Sequence, residues 1–261
     1  MHKSFANKTR PHTRRENRHS HAPFSARARV RGFVALCLTT LALGGCTVST
    51  VATQGFSAVP TGASVVVMPP DIKYYRVTAS GIPEPAPDWT ETARTAFDGA
   101  FNNYLNSVSF ETGFADADEM SESAVEYDKL HSAVGSTILM NHYGLTKLPT
   151  KKMGDSNDYT FDWSLGPGVA DLAPDGDYAL FVYYRDYQAS GGRVGMAVFA
   201  ALFNVAIYTG HQGGFASLVD LKTGNVVWFN NVAAATGNMR SDEGAASIVK
   251  QLFDGLTPAA G

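Results

Sequence analysis

From residue 64 onward, apolar and polar positions fall into blocks whose spacing names the elements. Residues 64–68 (SVVVM) form a β-branched run that stops at Pro69-Pro70, which predicts a short buried strand closed by a breaker. Residues 71–87, with Gly81, Pro83, Pro85 and Pro87, read as an ordered loop or an edge segment. Trp89, Ala93, Ala96, Phe97, Ala100, Phe101, Tyr104 and Leu105 then recur at helical spacing. Asp88 is the expected cap of that helix, with Glu91 three residues on. Residues 108–115 fit a short strand. A second helix is expected over about 118–142, with Met120, Ala124, Tyr127, His131, Val134 and Ile138 as its stripe.

After a loop-rich stretch at 144–177, residues 178–187 (YALFVYYRDY) give the strongest strand signal in the chain. Residues 215–221 and 226–230 flank the turn 222–225 and predict a hairpin. A last helix starts near Ser241 and buries Ala245, Ile248, Val249, Leu252 and Leu256. Strands early, in the middle and late, with helices between, predict a single mixed-sheet α/β sandwich domain over 63–258.

One block fits this scheme in more than one way. Gly191-Gly192-Arg193 leads into an uncharged apolar run, 194–209. It reads first as a core helix packed closely on the sheet through its small residues. It reads second as an oligomer interface or a membrane-facing segment. The run is shorter than the ~20 residues of a spanning helix but long enough for a spanning β-hairpin, which would need a closed barrel from several subunits. The glycine pairs 191–192 and 213–214 read as turns flanking it.

The start of the chain is a different object. Residues 1–45 hold nine Lys/Arg and one acid, Glu16, for a net of +8; the whole chain is −3, so the part from Cys46 onward is −11. Such an acidic body argues against nucleic acid as a partner. Residues 1–26 are rich in Arg, His, Ser and Asn, a composition that predicts no packed structure. Either they extend a basic leader or translation starts further downstream. Arg14-Arg15 is followed by Glu16-Asn17-Arg18, which does not support a twin-arginine signal. Arg27, Arg29 and Arg31 precede the apolar run 32–45, the pattern of a signal peptide.

That run ends in Leu43-Gly44-Gly45-Cys46, which resembles the bacterial lipobox. The resemblance implies cleavage before Cys46 and a diacylglycerol on its thiol. A further acyl chain on the freed amine would make the anchoring stable. Thr47 rather than Asp follows the cysteine, which implies the outer membrane in a Gram-negative cell. Residues 46–62 then read as a lipidated tether. Cys37 lies in the leader, so the cleaved body would hold Cys46 alone and no internal disulfide.

Catalytic and cofactor signals are weak. There is no G-x-S-x-G elbow, no G-x-G-x-x-G and no P-loop. His131 and His142 share a helix face with Asp128 one turn before His131, but three turns, about 16 Å, separate the histidines. They read as core or interface histidines rather than zinc ligands. Asp155, Asn157, Asp158 and Asp162 supply oxygen ligands in a loop without the calcium-loop pattern, and read as a solvated turn. No cofactor or metal is expected.

The order strand, helix, helix, strand, hairpin, helix over 64–256 is similar to the α/β domain of the curli-secretion (CsgG-like) lipoproteins and the TolB N-terminal domain. The hairpin SLVDLKTGNVVWFN resembles theirs, and YALFVYYRDYQASGGR resembles lipoproteins of the neisserial surface-antigen type. The resemblance implies an assembly or secretion component with no catalytic residues to carry over. A non-enzymatic, membrane-anchored domain facing the periplasm follows as the leading expectation, working by contact with envelope proteins. Tyr183, Tyr184, Tyr187 and Trp228 are its candidate contact residues. A homo-oligomeric pore subunit and a metal-dependent hydrolase are the alternatives.

Overall fold

The computed structural model describes residues 48–108, 112–114 and 122–259. The leader and Cys46 lie outside them. Eight strands form one mixed sheet. They are β1 (Val48–Ala52), β2 (Val65–Val67), β3 (Asp71–Val77), β4 (Pro83–Pro85), β5 (Thr112–Phe114), β6 (Tyr178–Ala189), β7 (Gln212–Asp220) and β8 (Val226–Val232). The described α-helices are α1 (Pro87–Val108), α2 (Glu122–Ile138), α3 (Gly191–Ala201) and α4 (Asp242–Leu252).

The 12-residue strand β6 organises the sheet. On one side it pairs antiparallel with β7, then β8, then β1. On the other side β2 runs parallel to its first residues and β3 parallel to its last ones. Pro69-Pro70 separates β2 from β3, because proline offers no N–H to the ladder. β5 continues the sheet beyond β2, and β4 pairs antiparallel with β3. The proline-bounded β4 is exposed, a composition that resists edge-to-edge pairing with other chains.

Helices cover both faces, as the sandwich reading requires. On one face Ala93, Phe97, Phe101 and Leu105 of α1, spaced four apart, pack with Ala245, Ile248, Val249 and Leu252 of α4 over Ile72, Tyr74, Leu180, Val182, Leu218 and Trp228. The Phe101 and Phe253 rings lie 4.8 Å apart. Buried Asn230 ties this layer down: its Nδ2 donates to the carbonyls of Gln251 (2.7 Å) and Leu252 (2.9 Å). These are last-turn carbonyls of α4 without an intrahelical partner. On the opposite face Ala124 and Ile138 of α2 pack with Phe181, Phe215, Val219 and Phe229.

Several expectations change. Of the two readings of 71–87, loop or edge segment, the second is realised: residues 71–77 form a strand, with Ile72 and Tyr74 facing the core and Lys73 facing out, and 83–85 form the edge strand β4. Helix α1 begins at Pro87, so Asp88 sits in its first turn and is not its cap. Ser241, by contrast, does cap α4, accepting from the Gly244 N–H. Gly213 and Gly214 are strand residues of β7, not a turn. A Cβ on Gly214 would run into the Tyr183 carbonyl. The segment 46–62, expected as a tether, instead supplies β1, which pairs along β8, and buries Val59 against the core. The folded body therefore starts no later than Val48.

The largest correction concerns 194–209. Residues 191–201 are helical, which removes the β-hairpin form of the run, but none of the helix is buried. Of the large apolar side chains well exposed on the described surface, Val194, Met196, Val198, Phe199, Leu202, Phe203, Val205 and Tyr208 all belong to this one excursion. It is not a core helix. Its small residues do not bring it onto the sheet, because both of its ends are held at one end of the sheet: α3 leaves the end of β6 and the chain returns at the start of β7.

Candidate functional site

An open cleft of about 660 Å³ lies on the α2 face, where that helix stops short of covering the sheet. Its floor is the second half of β6, the start of β7 and the end of β8. Its wall is the end of α2 and the π-helical turn Leu139–Tyr143. Tyr183, Arg185, Tyr187 and His211 line it together with Gly213 and Asn231, and among the described residues no carboxylate does. The bare glycines widen it by leaving the floor without side chains.

Ring stacking fixes the lining. Tyr183 stacks on Phe215 at 4.7 Å and carries the Arg185 guanidinium over its other face at 3.9 Å. Tyr187 lies between Tyr75 (4.8 Å) and His211 (5.1 Å). Arg185 is held from below by Asp71: its guanidinium donates to the Asp71 carboxylate at 2.5 Å and to the Asp71 carbonyl at 2.6 Å. Lys73 makes a second ion pair to Asp71 at 2.8 Å, and the Ser132 hydroxyl donates to it at 3.3 Å. Burial alone would raise the Asp71 carboxyl, but hydrogen bonds from Arg185 and Lys73 and their charges hold it below the usual carboxylate range. Among the described residues no Lys or Arg forms an ion pair with Asp128, although Lys73, Arg185 and Arg94 act on it from further off. Burial, and then the Asp71 charge, push it up to about 6.

Of the expected contact residues, Tyr183 and Tyr187 line this cleft, whereas Tyr184 and Trp228 are buried on the other face. Sequence reasoning passed over Asp71 and Arg185. The available signal was the charged pair Arg185-Asp186 inside a run of aromatic and aliphatic strand residues.

The histidines fall apart as well. His131 Nε2 lies 2.5 Å from the Ser217 hydroxyl, a serine–histidine contact in the core. Both residues are 1% exposed, and the imidazole stacks on Phe181 at 4.8 Å, so no substrate can reach the pair. Burial pushes this imidazole down to about 3. It is neutral at pH 7, and its tautomer sets which of the two groups donates. His142 sits in the π-helical turn, edge-on to Tyr143 and Phe161. Asp155, Asn157 and Asp158 are exposed, and Asp162 pairs with Lys151 at 2.9 Å. Among the described residues no three His, Cys, Asp or Glu side chains converge on a metal position.

The buried imidazole makes stability depend on pH. Below its ordinary value of 6.5 the unfolded chain binds a proton at His131 that the folded chain refuses until about 3, so stability falls as pH falls through that window. Asp128 acts in the opposite sense: its contribution is present below 3.8 and is lost as pH rises through about 6. Urea unfolding at neutral and mildly acidic pH separates the two. His131→Gln is expected to shrink the acid-induced loss by about 2–3 kcal/mol relative to the parent. An unchanged loss would mean that His131 is not the titrating group.

Fold and cleft together define a mixed-sheet α/β sandwich with an open aromatic–arginine cleft. No protein-family model matches the chain, and no curated protein does. Among solved structures it is similar to the PelC dodecamer from Paraburkholderia phytofirmans, at 13% identity and a TM-score of 0.38, covering 83% of this chain and 100% of that one. It is similar too to a methionine-for-leucine variant of that dodecamer, at 14% identity and a TM-score of 0.39, covering 82% of this chain and 100% of that one. Likenesses this distant carry no argument about function. The CsgG-like and TolB resemblance likewise rests on element order and the β7–β8 hairpin alone.

Proposed function

We propose that this protein is a lipid-anchored, non-enzymatic contact domain of the cell envelope. Cys46 carries the lipid, and the cleft between Tyr183, Arg185 and Tyr187 receives a segment of a partner protein. The observation that supports the reading is the cleft itself. It is open and preformed by stacking, and it combines aromatic faces with an arginine, the side chains most favoured where proteins meet. Among the described residues its lining holds no carboxylate, and the histidine there, His211, is stacked on Tyr187 and hydrogen-bonded to the Tyr208 hydroxyl.

Cross-linking of intact envelopes, read by mass spectrometry, tests this. A defined partner is expected to link to residues around the cleft. Tyr187→Ala is expected to lower that yield about tenfold, equivalent to about 1.4 kcal/mol. An unchanged yield, or cross-links that spread over the surface without a defined partner, would refute the cleft as the contact site. Links only between copies of this chain would turn the reading toward a homo-oligomer.

A further inference from the structure

We infer that the excursion between β6 and β7 is a second membrane contact that lies in the surface of the bilayer to which Cys46 is attached. The inference rests on the anchor reading of Cys46 but is tested separately from it.

The strand registers place the two features at one end of the sheet. Val48, the start of β1, pairs with Val232; Val232 pairs with Gly214; and Gly214 pairs with Tyr184. All four lie toward the end at which β6 finishes, β7 begins and β8 finishes. Cys46 precedes Val48 by two residues, a reach of no more than about 7 Å. Three strand spacings, about 14 Å, separate β1 from β6. A lipid on Cys46 would thus bring this end of the sheet to a bilayer, with no long tether between, and α3 leaves the sheet from that same end.

The composition of the excursion suits lipid. From Ser190 to His211 the only charged residue is Arg193. Phe199 and Phe203 are 64% and 66% exposed and Leu202 is 75% exposed, with Val198 and Val205 beside them in sequence. A helix apolar all round is stable only when something covers it, and no part of the described chain does. At 11 residues, about 16 Å, α3 is too short to cross a bilayer, and no described helix is long and apolar enough to do so. Lying in the interface remains, where an apolar helix sinks about 5–10 Å into the headgroup boundary.

Arg193 sets the base of the insertion. Its side chain donates to the carbonyls of Tyr208 (2.7 Å) and Ala79 (3.4 Å). It thereby clamps both ends of the excursion to the β3–β4 turn, which presents another exposed apolar residue, Ile82. A charged clamp at the root with an uncharged apolar body beyond it is the polarity that an interfacial segment needs.

Benzoylphenylalanine introduced at Phe199 or at Phe203 of the full chain, irradiated in intact envelopes, provides the test. Asp175, exposed at the far end of β6, is the control position. Replacing one exposed aromatic ring by another leaves the core untouched. Phospholipid adducts at 199 and 203 are expected to exceed those at 175 about tenfold, as burial in the headgroup region implies. Equal lipid yields at the three positions, or protein adducts without lipid adducts at 199 and 203, would overturn the inference, the second result pointing to a copy of this chain or another protein as the cover. The mass of the peptide beginning at Cys46, read from the same samples, reports the anchor independently. Lipid adducts with an unmodified Cys46 would sink the anchor and keep the helix contact. An acylated Cys46 without adducts would do the reverse.

Discussion

Asp71→Ala is expected to destabilise the domain by about 3–5 kcal/mol, the usual cost of stranding a buried charge. The Arg185 side chain is only 12% exposed and its guanidinium takes both a carboxylate oxygen and the carbonyl from Asp71. Alanine keeps the carbonyl but removes the one carboxylate among the described residues that Arg185 pairs with, while Lys73 can turn to water. Asp71→Asn keeps an acceptor of the same shape and should cost less. Replacing Asp71 and Arg185 together by apolar residues of similar size should recover most of the loss, since a buried pair is worth little against a packed apolar pair. The pH dependence carries the matching sign. The Asp71 carboxyl titrates below its ordinary range, so its contribution is present at neutral pH and is lost as pH falls through the lowered value. Urea unfolding of the three variants checks this; a loss below about 1 kcal/mol for Asp71→Ala would show that the pair is solvated.

Phe215→Ala is expected to cost about 3–5 kcal/mol. Phe215 is fully buried and stacks on Tyr183 at 4.7 Å and on Phe229 at 5.3 Å, and it lies 5.3 Å from His131. It also reaches helix α2 at Gly135, where a Cβ would collide with its ring. Gly135→Ala alone is therefore expected to destabilise by about 1–3 kcal/mol despite the better helix propensity of alanine. The two changes relieve each other: the added methyl enters the space that the ring leaves. The double variant should be more stable than the sum of the single losses predicts, with a coupling of about 1 kcal/mol or more. Strict additivity would mean that α2 does not seat on Phe215.

These two sites show what the sequence made legible. Apolar runs and period-3.6 patterns named most of the sheet and three of the four described α-helices, because β6, β7 and β8 are buried on both faces over much of their length and α1 and α4 each bury one stripe. The expected two-faced covering is realised by α1 and α4 on one side and α2 on the other. The pattern failed where pairing rather than burial makes the element. Strand β3 carries Lys73 and Arg76 and looks like a loop until β6 and β4 flank it. Strand β1 reads as a tether because its ladder to β8 is a backbone property that VSTVA does not advertise. The apolar run 194–209 departs in the opposite direction: it reads as a core helix but is exposed, because apolar composition says that a segment is covered, and not by what.

The cleft was half legible. Tyr183 and Tyr187 were expected as contact residues, but Tyr184 and Trp228 could not be separated from them without knowing which face each strand position occupies. Asp71 and Arg185 meet only through the parallel pairing of β3 with β6, a long-range register that local pattern cannot supply. The serine–histidine contact of Ser217 and His131 likewise joins residues 86 positions apart, and its burial gives it a structural meaning rather than a chemical one.

Attachment through Cys46 is the link on which both the anchored-domain proposal and its orientation depend. The intact mass of the protein extracted from envelopes measures it directly. The predicted result is a chain that begins at Cys46 and carries a thioether-linked diacylglycerol, with or without an amide-linked acyl chain. A chain that retains residues ahead of Cys46, or that begins there with an unmodified thiol, would contradict it.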